Sequence, residues 1–302
     1  MGDDAAVTVP GGATATSVDA LVDGVHFRRA LAPLRSIGRK ALAVGLSDLA
    51  AMGASAGEAY VVLGVPEDLD EAGSLELVEG IEAEAAETGT SLVGGDITRS
   101  PVLAIAVTAV GHADRPENLV ARAGAAAGHV VVVTGELGGA AAGLRLLEDP
   151  DLGAGLDDSI AAALRNRQLE PRARLAEGRA LAGEGAAAMI DISDGLGGDA
   201  GHLAAESGVR LEIDLALLPV QAGVREVAGA AGEQALELAA GGGEDYELLA
   251  CLPEDRTEAA RRAVEESGGS LTLIGRCVGG EGVSLSDPDG RQLQPRGFDQ
   301  LA

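Results

Sequence analysis

The chain has 302 residues, with 22 basic against 48 acidic side chains and a formal net charge of −26. That field repels a nucleic-acid backbone or an anionic membrane surface, and a hydrophobic content of 46% suffices to bury a core, so no nucleic-acid partner, no membrane partner and no wholesale disorder are expected. No stretch approaches the roughly 18 uncharged apolar residues of a membrane span, and Met1-Gly2-Asp3-Asp4 lacks the basic start of a signal peptide, which predicts a cytoplasmic protein.

Length predicts two domains of ordinary size. In the first half, residues 13–18, 57–65 and 102–110 read as strands, while 35–52 and 70–88 carry helical periodicity. A polar stretch from Gly111 to Gly128 then marks the expected boundary, giving domains 1–120 and 121–302. The second half opens with the strand 129–134, a glycine turn at Gly135 to Gly139 and a helix over 139–148. Helices at 157–166 and 170–183 follow, then strand 187–192, helix 196–207, strand 209–214 and a helical stretch over 221–239. Strand 246–252, helix 254–267, strand 271–278 and a terminal hairpin close the chain.

The cations are lopsided: Lys40 stands alone against 21 arginines. So acidic a chain repels itself in dilute buffer, whereas at 1 M salt the Debye length is only about 3 Å. With two Phe, two Tyr and no Trp, the core is weakly hydrophobic and would be reinforced by concentrated salt, so a halophilic, haloarchaeon-like source is expected, with an acidic mesophilic protein as the alternative. Cys251 and Cys277 lie in strand-like runs and are expected as buried free thiols.

Among so many acids, the informative ones stand amid glycines and apolar residues, where a carboxylate is costly unless paired, hydrogen-bonded or metal-bound. Asp3 and Asp4 precede an apolar strand, and Asp19 follows Ser17-Val18. Asp48 lies inside Leu46-Ser47-Asp48-Leu49-Ala50-Ala51-Met52, Asp96 follows Leu92-Val93-Gly94-Gly95, and Asp191 and Asp194 stand in Met189-Ile190-Asp191-Ile192-Ser193-Asp194-Gly195. Hard oxygen ligands without a His/Cys cluster suit Mg²⁺ bridging to phosphates. Taken singly, each is equally well a helix N-cap or turn residue, Asp194 before Gly195-Leu196 above all. Thr134-Gly135-Glu136-Leu137-Gly138-Gly139 reads either as a backbone cradle for phosphate or as a tight structural turn. Gly241-Gly242-Gly243-Glu244 allows close approach of a ligand to the backbone. His26 beside Phe27, and Phe298 near the C-terminus, read either as ligand contacts or as core residues.

These residues fall in the order of one family's motifs. Gly2-Asp3-Asp4-Ala5-Ala6, Ser17-Val18-Asp19, Gly24-Val25-His26-Phe27, Lys40 to Gly53, Gly94-Gly95-Asp96-Ile97-Thr98-Arg99, Asp191 to Leu196 and Gly242 to Leu248 together resemble the thiamine-monophosphate kinase family, within the aminoimidazole ribonucleotide synthetase-like superfamily of ATP-utilising enzymes. The resemblance implies a mixed α+β and α/β fold, its N-terminal ATP- and Mg-binding mixed sheet pairing across a homodimer and its C-terminal domain of α/β type. The apolar run 57–65 would then be covered by the second copy. It implies ATP as co-substrate, thiamine monophosphate as acceptor and direct transfer assisted by several Mg²⁺ ions, with no catalytic nucleophile on the protein. By the same match, Asp4, Ser17, Asp19, Asp48, Asp96, Asp191 and Asp194 would hold the metals, and Gly95, Asp96, Arg122 and Ser193 would contact ATP. His26, Glu244 and Phe298 would contact the thiamine phosphate.

Departures from the family pattern are expected to matter. Val18 falls where relatives often place a hydroxyl ligand, leaving only its backbone, and residues 66–93 lack the aromatic that relatives can place near adenine. Relatives carry a further segment ahead of the Gly-Asp-Asp motif, whereas Met1 directly precedes Gly2 here, so a shortened chain or a misassigned start is expected. The competing expectations are a purine-biosynthetic cyclase or selenophosphate synthetase-like enzyme of the same superfamily, and a noncatalytic nucleotide-binding dimer.

Overall fold

The structure is a computed structural model that describes residues 11–294, so Asp3, Asp4 and Phe298 lie outside the described residues. The chain divides into two compact units, one reaching Leu49 and resuming over Ala54–Leu119, the other made of Ala50–Gly53 and the residues from Val120 onward.

The first unit contains β1 (Ala13–Val22), α1 (Leu34–Ala51), β2 (Ser55–Val65), α2 (Glu71–Thr88), β3 (Ser91–Arg99) and β4 (Ala104–Ala113). Its four strands lie in the order β1-β4-β2-β3, with β2 and β3 parallel and the other pairs antiparallel. Alternation along β4 buries Ile105, Val107 and Ala109 on one face, and α1 supplies Ile37, Leu42 and Leu46 to the same unit's core. On the other face Val18 and Val62 stay exposed. Strand β1 continues past residue 18 because it pairs with β4 as far as Val22. Strand β3 was not among the expected strands: its Gly94-Gly95 pair has poor β propensity, and it is held at the sheet edge by pairing with β2. A Cβ at Gly95 would lie 2.0 Å from the Val61 carbonyl oxygen, so glycine there has a packing reason of its own.

The second unit has a seven-stranded sheet. Its strands are β5 (His129–Thr134), β6 (Ala188–Asp191), β7 (Arg210–Asp214), β8 (Leu248–Pro253), β9 (Leu271–Val278), β10 (Gly282–Ser286) and β11 (Gln292–Leu293), in the order β11-β10-β7-β9-β5-β8-β6. Among the described strands of this sheet, β7 and β10 pair in parallel and the other neighbours pair antiparallel. The helices are α3 (Gly139–Glu148), α4 (Asp158–Leu169), α5 (Leu175–Gly183), α6 (Leu196–Ser207), α7 (Val224–Ala231), α8 (Ala235–Gly241) and α9 (Thr257–Glu266). Strand β5 is apolar almost throughout and sits centrally, and its Val131 and Val133 pack with Ile190, Leu203, Leu249 and Ile274.

The stretch 221–239, expected as one helix, is two: Gly232, left-handed at φ 72°, closes α7. The helix expected from 170 begins at Leu175, because Pro171 biases the residue before it away from helical geometry. Cys251 and Cys277 are buried free thiols, as their strand context predicts, with their sulfurs 3.5 Å apart.

Candidate active site

In the first unit, Ser17 and Asp19 share one face of β1 through the two-residue period of a strand, and Asp48 comes from α1. The Ser17 hydroxyl lies 3.2 Å from an Asp19 oxygen and donates to Asp48 across 31 residues of sequence. Burial, and then the Asp48 charge, push the Asp19 carboxyl up to about 6. Two carboxylates and a hydroxyl thus converge on one spot with unresolved like-charge repulsion, an all-oxygen donor set of the kind that holds a hard divalent cation. Asp96 differs from expectation: on edge strand β3 it is exposed, so its apolar sequence neighbours do not desolvate it.

His26 sits in the turn after β1. Its Nδ1 accepts the Val22 amide at 3.1 Å, so the neutral ring carries its proton on Nε2, free to donate to an anion. A second pin comes from the His26 amide, which donates to the Val22 carbonyl at 3.0 Å.

In the second unit, the motif after β6 and the motif before β8 run side by side. The Ile192 amide donates to the Glu247 carbonyl, the Tyr246 amide to the Ile192 carbonyl and the Glu244 amide to the Ser193 carbonyl, at 2.7, 2.8 and 2.8 Å. This brings Ser193 and Glu244 together, although about fifty residues separate them in sequence. Gly195, at φ 111°, permits the approach: a Cβ there would meet the Gly241 carbonyl oxygen at 2.9 Å. Glu244 (φ 68°) and Tyr246 (φ 49°) are the non-glycine residues in the left-handed region among the described residues. Each costs on the order of 1–3 kcal/mol, a strain that surrounding contacts must sustain and that clusters at functional sites.

Asp191 is buried and Asp194 half-buried. Burial raises the Asp194 carboxyl, partly offset by the charges of His202 and Arg122, which places the expected ATP contact Arg122 in the electrostatic range of this motif. Arg122 is itself exposed, its carbonyl accepting the Ser207 hydroxyl at 2.9 Å.

The capping reading of Asp194 does not hold. Gly195 is the N-cap of α6 without a side-chain bond, and it is the buried Asp199, one turn in, whose carboxylate takes the amides of Ser193, Asp194 and Gly195, all at 3.1 Å. Burial, together with Asp191 and Asp194, pushes the Asp199 carboxyl up to about 8. At the turn from Gly135 to Gly139 the amides of Gly138 and Ala140 donate to the buried Asp245 at 2.7 and 3.1 Å, so of the two readings of this segment the structural turn is the one realised.

Behind Glu244 lies a buried ionic cluster. Glu247 accepts from Thr134 at 2.7 Å, from Arg174 at 2.5 Å and from Arg167, and Arg174 also pairs with Glu177 at 3.3 Å. Burial alone would weaken the hold of Arg174 on its proton, but Glu247 and Glu177 outweigh it and raise that pKa. Gln168, next to Arg167 on α4, donates through Nε2 to Glu244. Sequence reasoning assigned no role to Asp199, Gln168, Arg167, Arg174 or Glu247. The last stands within a quoted motif, whereas the α4 residues carry no signal in a single sequence.

Among the described residues no three His, Cys, Asp or Glu side chains are grouped so as to hold a metal alone. Magnesium at these carboxylates would therefore draw much of its shell from phosphate and water, which suits that ion.

Comparison with known proteins locates the chain. Residues 2–113 match the AIR synthase related protein N-terminal domain and residues 126–288 its C-terminal domain. The thiamine-monophosphate kinase of Mycobacterium tuberculosis is 40% identical over 253 residues, 83% of this chain and 74% of the relative. The crystal structure of thiamine-monophosphate kinase from Stenotrophomonas maltophilia matches with a TM-score of 0.86 at 36% identity, covering 97% of this chain and 90% of that one. AaThiL complexed with AMPPCP and TMP matches with a TM-score of 0.83 at 34% identity, covering 94% and 86%. With two convergent carboxylates in one unit, two interlocked glycine loops in the other, and this likeness running over nearly its whole length, the chain belongs to the thiamine-monophosphate kinase family.

Proposed function

We propose that the protein transfers the γ-phosphoryl group of ATP to the phosphate of thiamine monophosphate, giving thiamine diphosphate and ADP. An oxygen of the acceptor phosphate forms the new bond to phosphorus as the bond to the ADP oxygen breaks, with no phosphoenzyme. What carries the reading, beyond family membership, is the all-oxygen cluster of Ser17, Asp19 and Asp48, whose repulsion a divalent cation would relieve.

Ser17, Asp19, Asp48 and Asp96 of the first unit, with Asp191 and Asp194 of the second and Asp4 outside the described residues, hold the magnesium ions in this reading. Bound there, magnesium neutralises charge on the phosphates during transfer. Gly95, Asp96, Arg122 and Ser193 bind ATP. His26 offers its Nε2 proton to the thiamine phosphate, Glu244 contacts the thiamine end, and Phe298 completes that contact. The exposed Val18 and Val62 on the open face of the first unit's sheet support a homodimer, to be read by light scattering in high salt, with a monomer at micromolar concentration counting against it. A salt-adapted protein of the cytoplasm belongs to this reading, its salt adaptation supported by the net charge of −26.

The deciding assay incubates the protein with thiamine monophosphate, ATP and Mg²⁺ in multimolar KCl and looks for thiamine diphosphate. ATP binding without that product would favour a purine-biosynthetic cyclase or selenophosphate synthetase-like activity.

A further inference from the structure

We propose that Gln168 is the residue that positions Glu244 for the acceptor substrate, with the Glu247–Arg167–Arg174 cluster as its rigid base. This rests on the reading above that Glu244 touches thiamine monophosphate. Glu244 stands on a left-handed backbone at φ 68°, and its amide is tied to the Ser193 carbonyl at 2.8 Å. The backbone is thereby fixed, but a glutamate side chain retains three rotatable bonds, and its carboxylate is aimed by what it meets. Gln168 meets it: Nε2 donates to Glu244 Oε2 from a side chain that is 7% exposed.

Turning the Gln168 amide over would set Oε1 against the Glu244 carboxylate, so charge selects the orientation in which Nε2 donates, although Oε1 is left buried without a hydrogen-bond partner. Its neighbour Arg167 is anchored on Glu247, which Arg174 and Thr134 hold from other directions, so the last turn of α4 is fastened to the same loop that carries Glu244. Apart from its bond to Glu244, Gln168 is enclosed, with too little exposed surface to meet a substrate, and it therefore acts through Glu244 rather than as a catalytic residue.

The test uses the full-length protein and the variants Gln168→Met, which keeps the volume and removes the donor, and Gln168→Glu, which sets a like charge against Glu244. Losing a hydrogen bond to a charged group should raise KM for thiamine monophosphate about tenfold in Q168M and further in Q168E. KM for ATP should stay within about twofold and Q168M should melt near the parent, because a purely structural role would move both substrates together. Equal changes in the two KM values, or none, would overturn the proposal at Gln168. Glu244→Gln separates the parent reading: if it leaves KM for thiamine monophosphate unchanged, Glu244 is not a substrate contact and the inference falls with it. A rise in E244Q alongside a silent Q168M removes Gln168 alone.

Discussion

In the first unit Asp19 and Asp48 stand against each other with the Ser17 hydroxyl between them, whereas in the second unit Glu247 is met by two guanidinium groups and a threonine hydroxyl. The first group is half-exposed and electrostatically incomplete; the second is sealed and internally neutralised. A carboxylate cluster that keeps its repulsion is paying a standing cost in stability, which makes sense where a cation arrives with the substrate. A carboxylate that has recruited its own cations serves the architecture. The same residue type thus has opposite roles, distinguished by whether its counter-charge is part of the chain.

The harshest way to break this contrast is Glu247→Ala, which leaves Arg167 without its carboxylate partner and Arg174 with Glu177 alone. It should cost about 3–5 kcal/mol of unfolding free energy, read from urea melts, whereas a loss below about 1 kcal/mol would mean that the arginines find water instead. Asp48→Asn probes the other side with the opposite sign. It should raise the metal-free melting temperature by relieving repulsion on Asp19, yet lower turnover roughly a hundredfold, about 2.7 kcal/mol of transition-state stabilisation. Asp96→Asn should lower turnover similarly, whereas Asp151→Asn and Asp157→Asn should change little, since Asp157 caps α4 through the Ser159 amide and asparagine caps as well. Near-normal turnover of the Asp48 and Asp96 variants at saturating Mg²⁺ would remove both from the metal set.

Salt and pH sharpen the comparison at smaller amplitude. Melting temperature should climb with KCl, because screening acts on the exposed acids and apolar burial improves with it; indifference to KCl would refute the salt-adapted reading. For Asp19 the folded pKa, about 6, lies above the unfolded 3.8, so ionisation is penalised in the folded state. Its contribution to stability therefore improves as pH falls through 6 toward 3.8. Asp48→Asn removes one of the two causes, so the difference between parent and variant should shrink over that window, and parallel stability curves would deny the coupling.

Most of the architecture was legible because its signals are local. Residues 129–134 read as a strand, and 35–52 as a helix, from apolar spacing alone, and the structure has them as His129–Thr134 and Leu34–Ala51. Strand β3 was hidden because pairing with β2, rather than propensity, makes it a strand. The site was legible as motifs but not as partnerships. Asp191, Asp194 and Glu244 stand out by their neighbours in sequence, while Asp199 and Gln168 matter for reaching a backbone turn and a carboxylate that only the fold brings within range. Asp96 shows the converse, an aspartate with apolar neighbours in sequence that the edge of a sheet leaves in water.

The two buried thiols offer something unrelated to chemistry at the site. Cys251 on β8 and Cys277 on β9 lie on either side of β5, with their sulfurs 3.5 Å apart in the buried core. Since the chain has no other cysteine, a thiol-reactive dye has nothing to label until the centre of this sheet opens. The rate of labelling is therefore a clock for the opening of the second unit's core, built into the natural sequence and readable at any salt concentration without introducing a probe.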